Sequence, residues 1–170
     1  LESRGHDPRQ IVSLLVKNYF HQIRNGRVHS DVHIGNFIVT QDKRIAIIDR
    51  NFFLRIGPNM QPLLESLEGL IQDPLGVLFQ PGFKDNLIEE FTDALFEDSS
   101  QISDEVKIKV SRAVDVLFAS LGNEQASPLN AFLLALRDQG LEVPIQFTLL
   151  FKNLGSLNQL AQKVGWSLLD

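Results

Sequence analysis

Two short β-branched runs, Phe37-Ile38-Val39-Thr40 and Arg44-Ile45-Ala46-Ile47-Ile48, set the strongest limit on what this chain can fold into. Gln41-Asp42-Lys43 lies between them, so the pair reads as one hairpin. Two strands do not make an independently stable sheet. The core must therefore come from helices packed on helices, with the hairpin as an insertion. All strands are expected within residues 27–49.

The rest of the sequence has the helical period. Asp7-Pro8 provides an N-cap and a first helical position. Ile11, Leu15, Tyr19 and Ile23 then recur at i, i+4 spacing until Asn25-Gly26 stops the helix. Further helices are expected over 61–71, over 84–96 and from Ser103 to Leu121-Gly122. Two more run from Ser127-Pro128 to Gly140 and from Pro144 to about Val164. Pro81-Gly82 and Asp98-Ser99-Ser100 break the pattern. No repeat or linker interrupts it, so residues 1–170 read as a single domain.

Composition narrows the chemistry. At 170 residues, 44% hydrophobic and 22% charged, the chain is an ordinary globular sequence. Its net charge of -5 argues against a nucleic-acid partner, which requires a basic face. With no cysteine there is no disulfide, thiolate or cysteine-ligated zinc. No apolar run reaches the roughly 18 residues of a membrane span. The expected setting is cytoplasmic, with any membrane contact peripheral. The start at Leu1-Glu2-Ser3 reads as a point inside a longer protein.

The segment His29-Ser30-Asp31-Val32-His33-Ile34-Gly35-Asn36, followed after the hairpin by Asp49, holds the reactive groups. Phosphoryl transfer needs a carboxylate to orient a hydroxyl and oxygen ligands to hold magnesium on the phosphates. Asp31 can serve as the first. Asn36 and Asp49, at the two ends of the hairpin, can serve as the second. A rival pattern is His29-x-Asp31-x-His33. In an extended segment these three face one way and could ligate zinc, but that leaves Asn36 and Asp49 without a role.

His-x-Asp, four residues, Asn, then a hairpin ending in Asp resembles the catalytic and magnesium loops of protein-kinase-like enzymes. His33 followed by Gly35-Asn36 resembles the UbiB/AarF atypical kinases and the aminoglycoside and choline phosphotransferases. Three further segments are similar to UbiB/AarF: Asn18 to Ile23 leading into Gly26, the strand Arg44 to Asp49, and Val143-Pro144 to Leu150-Phe151 before a terminal helix. The resemblance implies a mainly α fold with one small hairpin, like a kinase C-terminal lobe. It implies ATP and Mg2+ as cofactors, Asp31 as catalytic base and His33 beside the transferred phosphate. Asn36 and Asp49 would bind magnesium and nucleotide, and His29 would brace the loop. A link to ubiquinone or other isoprenoid-lipid metabolism also follows from it.

The chain departs from that family at several points. Val32 and Ile34 stand where it usually has prolines, and Asp49-Arg50-Asn51 where it usually has Asp-Phe-Gly. No phosphate-covering loop or strand lysine occupies residues 1–28. The expected partner is therefore a missing N-terminal lobe, or a second copy of the chain through the apolar surface left uncovered. The fragment alone is expected to be inactive. A small-molecule phosphotransferase and a non-catalytic pseudokinase or helical interaction module are the alternatives. Carboxylates gathered for a metal repel one another without it, so neutralising Asp31 or Asp49 is expected to leave stability unchanged or raise it.

Overall fold

A computed structural model describes residues 7–42, 44–49, 52–96, 99–121 and 128–165. Among these, helices dominate and strands are short, as the hydrophobic period requires. The described residues divide into two compact units, one formed by those from 7 to 56 with those from 152 to 165, the other by those from 57 to 151.

The first unit opens with α1, Pro8–Arg24. Asp7 caps it by accepting the Arg9 amide at 2.9 Å, and Pro8 sits where no amide hydrogen is needed. Its inward face is the expected one: Ile11, Leu15, Tyr19 and Ile23 are buried, with Val12, Val16 and Phe20. Gly26, at φ 71°, takes the left-handed turn past the helix end that a side chain would resist. The hairpin follows as β2, Phe37–Val39, antiparallel to β3, Ile45–Ile47, with Ile38 opposite Ala46.

A second ribbon was not expected. β1, Arg27–His29, pairs antiparallel with β4, Phe53–Arg55, in the register Val28 to Leu54. Residues 53–55 thus form a strand outside the 27–49 limit. Three residues are too few for alternation to announce a strand. What holds them is tertiary: the Ile56 amide continues the ladder to the Gly26 carbonyl, and Ser30 donates from both its amide and its hydroxyl to the Phe52 carbonyl.

The second unit holds α2 (Gln61–Gln72), the short α3 (Pro74–Leu78), α4 (Phe83–Leu95), α5 (Asp104–Ser120) and α6 (Pro128–Asp138). α5 packs against both α4 and α6. Ser103 caps α5 by accepting the Val106 amide at 3.3 Å, with Asp104 and Glu105 in the first turn where the helix dipole favours them. Phe91, Phe132, Phe147 and Phe151 form a ring cluster with Phe91 and Phe132 centroids 4.1 Å apart. α7, Ile145–Lys163, is continuous: its residues through Phe151 go with this unit and those from Lys152 with the first. Gly122, Ser127, Lys43 and Asp98 of the expected turns lie outside the described residues.

Glu90 on α4 is the exception to good pairing in this unit. Its Oε2 is buried without a partner among the described residues. Burial pushes its carboxyl above the usual range, with the Ser66 bond opposing and Glu65 adding to the rise. A folded-state pKa above the unfolded one means stability that is complete below the unfolded pKa and lost as pH rises through the folded value. Glu90→Gln should accordingly raise stability at pH 7, because the amide carries no charge for burial to penalise. The gain should vanish below about pH 4, where the glutamate is protonated in both states. Thermal melts of the two forms at the two pH values check this.

Candidate functional site

The loop after β1 is tied down from four sides, all within the first unit. His29 is 1% exposed, and both ring nitrogens are engaged. Nδ1 accepts the Asp31 amide at 3.2 Å, and Nε2 lies 2.7 Å from the Asp49 carbonyl oxygen. An amide can only donate and a carbonyl can only accept, so His29 carries its proton on Nε2. One ring thereby joins the backbone at Asp31 to the backbone at Asp49, across the whole hairpin. The Phe53 ring meets His29 edge-on at 5.6 Å, and the Gln22 side chain accepts the His29 amide at 3.0 Å.

Asn36 closes the loop from the other end. It is buried and ends a 3-10 turn, Ile34–Asn36, that His33 caps by accepting the Gly35 amide on Nδ1 at 3.1 Å. Asn36 Nδ2 donates to the Asp31 carbonyl at 3.0 Å, which leaves its Oδ1 without a protein donor among the described residues. The Ile48 amide donates to the Asn36 carbonyl at 2.9 Å, so Asn36 and Asp49 come to the same end of the hairpin. Asp49 is exposed and, at φ 56°, is the one non-glycine residue with positive φ among those described. Aspartate and asparagine tolerate that region better than other side chains. Arg50 and Asn51, the departures from Asp-Phe-Gly, lie outside the described residues.

Asp31 is about half exposed and has a cation and an imidazole beside it. Lys152 Nζ donates to its Oδ1 at 3.0 Å, and His33 Nε2 lies 3.4 Å from its Oδ2. The Lys152 hydrogen bond is the largest cause holding the Asp31 carboxyl below the usual carboxylate range, against a small opposing effect of burial. Lys152 and its neighbour Asn153 escaped the sequence reading, being more than a hundred positions from the loop. Asn153 is fully buried; its Oδ1 accepts the Val32 amide at 3.1 Å and its Nδ2 donates to the His29 carbonyl at 2.9 Å. Tyr19 hydrogen-bonds the same side chain, and its burial raises its hydroxyl pKa far above the ordinary value. A polar residue inside an apolar helix face was the available signal.

The zinc alternative is not supported by this arrangement. Both His29 ring nitrogens are engaged with backbone groups, so neither is available to a metal. Among the described residues no group of three His, Cys, Asp or Glu side chains could hold a metal ion.

No curated protein and no solved structure gives a significant match to the chain. Residues 1–72, which include Asp31, His33, Asn36 and Asp49, match the family model of the ABC1 atypical kinase-like domain, in agreement with a kinase-like protein of the UbiB/AarF family.

Proposed function

We propose that this chain carries the catalytic loop of an ATP- and magnesium-dependent phosphotransferase or ATPase. In this reading Asp31 orients the attacking hydroxyl or water and accepts its proton. Asn36 Oδ1 and the Asp49 carboxylate would hold the magnesium ion, an amide oxygen and a carboxylate being the hard donors that ion prefers. Bound there, magnesium would neutralise charge on the phosphates. His33, capping the turn with Nδ1, keeps Nε2 on the open side toward Asp31, where a phosphate oxygen would lie.

One observation carries the reading. The His29 ring and the Ile48–Asn36 bond tie the two ends of the hairpin to the segment that bears Asp31. A set of capping or turn residues would not need that linkage, since each would be satisfied locally. Exposed Ile34, Ile38, Ile48 and Phe52 around the loop and hairpin support an apolar partner surface for an N-terminal lobe. A role in ubiquinone or isoprenoid-lipid metabolism at a membrane surface belongs to the same proposal. No helix among the described residues is long and apolar enough to cross a membrane.

Calorimetric titration of the whole protein, N-terminal lobe included, with ADP tests the metal dependence. Binding is expected with Mg2+ or Mn2+ and lost in EDTA. Equal binding without metal, or tight stoichiometric zinc binding removed by His33→Ala, overturns the proposal.

A further inference from the structure

We propose that Asn153 is a positioning residue for the Asp31 loop, holding through the Val32 amide a backbone that has no proline to stiffen it. Val32 is 2% exposed and its amide is turned inward, where an unpaired N–H is costly. Asn153 Oδ1 accepts that N–H at 3.1 Å while Nδ2 donates to the His29 carbonyl at 2.9 Å. The two contacts fix the amide's orientation, since a flipped side chain would set donor against donor and acceptor against acceptor. The bonds fall on either side of Asp31, so a single buried side chain brackets the residue whose carboxylate must be placed. The preceding residue on α7, Lys152, takes the Asp31 carboxylate itself at 3.0 Å. One helix thus holds backbone and side chain of the same segment.

Proline at position 32 would have no N–H to satisfy and would fix φ by its ring. Valine leaves both tasks undone, and Asn153 supplies the missing partner. The proposal predicts a specific coupling: Asn153 matters because residue 32 has an amide hydrogen. The bracket itself needs no catalysis. Only the purpose of placing Asp31 rests on the phosphotransfer reading.

The test is a double-mutant cycle read by amide hydrogen exchange on the 170-residue chain without metal or nucleotide. The Asp31 amide is the reporter and the buried Phe20 amide on α1 the control for global opening. Asn153→Ala should speed Asp31 exchange relative to Phe20 by about tenfold or more. In a Val32→Pro background, where only the bond to the His29 carbonyl is left to lose, the same substitution should speed it clearly less than in the valine background. Turnover by the whole protein is the second readout, with Asn153→Ala expected to lower kcat about tenfold and leave KM for ATP in place. Unchanged Asp31 exchange in Asn153→Ala overturns the proposal, as does equal loss in both backgrounds. Should Val32→Pro fail to fold, the single variant still decides. Faster Asp31 exchange with normal turnover upholds the bracket and removes Asp31 from catalysis instead.

Discussion

Asp31→Asn is expected to lower turnover by the whole protein by about a hundredfold to ten-thousandfold, the range a positioned general base contributes. Asp49→Asn is expected to lower turnover as well and to weaken magnesium-dependent nucleotide binding, because an amide replaces the only carboxylate among the two proposed ligands. These activity losses come with small stability changes, and their signs differ. Lys152 and His33 surround the Asp31 carboxylate. Its neutralisation therefore removes attraction, not repulsion, and costs stability. The pair is about half exposed, so the cost is at most about 1 kcal/mol. This departs from the repulsion expected of gathered carboxylates, which assumed that Asp31 has no cation near it. The folded-state pKa of Asp31 is lowered. Its contribution is therefore present above the unfolded pKa, about 3.9, and fades as pH falls through the folded value. The melting gap between wild type and Asp31→Asn should close below about pH 4. Asp49→Asn should melt at or slightly above wild type, since asparagine is well suited to φ 56°. Normal turnover in both variants, measured by phosphate release, would remove the catalytic assignment.

What the sequence disclosed depended on how local the determining interactions are. Asp7-Pro8, Ser103 and Gly26 act within one helical turn, so the starts and stops of α1 and α5 were readable from neighbouring residues. The hairpin was readable because both strands and their turn lie within residues 37–48. The β1–β4 ribbon joins residues separated by the whole loop and hairpin, and neither three-residue strand announces itself. The site divides in the same way. The spacing of His29, Asp31, His33, Asn36 and Asp49 signalled the loop. The groups that hold it, Lys152 and Asn153, approach through the fold from α7, and no local pattern connects them to residue 31. The alternation of His29, Asp31 and His33 offered zinc only as a rival reading, and that rival is weakened for a related reason. It predicts a common face only in extended backbone, whereas the His29 ring turns back to the Asp31 amide.

His29→Ala should be among the most destabilising single changes near the site, at about 3 kcal/mol. The ring is 1% exposed and serves two backbone groups at once. Its removal leaves the Asp31 amide and the Asp49 carbonyl without their partner, each orphaned group costing about 1–3 kcal/mol. The edge-on contact with Phe53 is also lost, about 0.5–1.5 kcal/mol. Water entering the vacated space offsets part of the sum, which places the net near 3. The loss should be uneven. Amides of the hairpin, Ile48 in particular, should lose exchange protection before those of α1, because His29 connects the hairpin's end to the loop while the helix keeps its own bonds. His29→Gln should recover part of the stability: its side chain can donate to the Asp49 carbonyl but has the wrong shape to accept the Asp31 amide as well. Magnesium-dependent nucleotide binding should fall with hairpin protection, since Asp49 is then no longer held relative to Asn36. Denaturant melts and exchange on the three forms give the answer. If His29→Ala melts within about 0.5 kcal/mol of wild type with the Ile48 amide still protected, the ring is not the tie between loop and hairpin. The linkage that carries the phosphotransfer reading would then be gone.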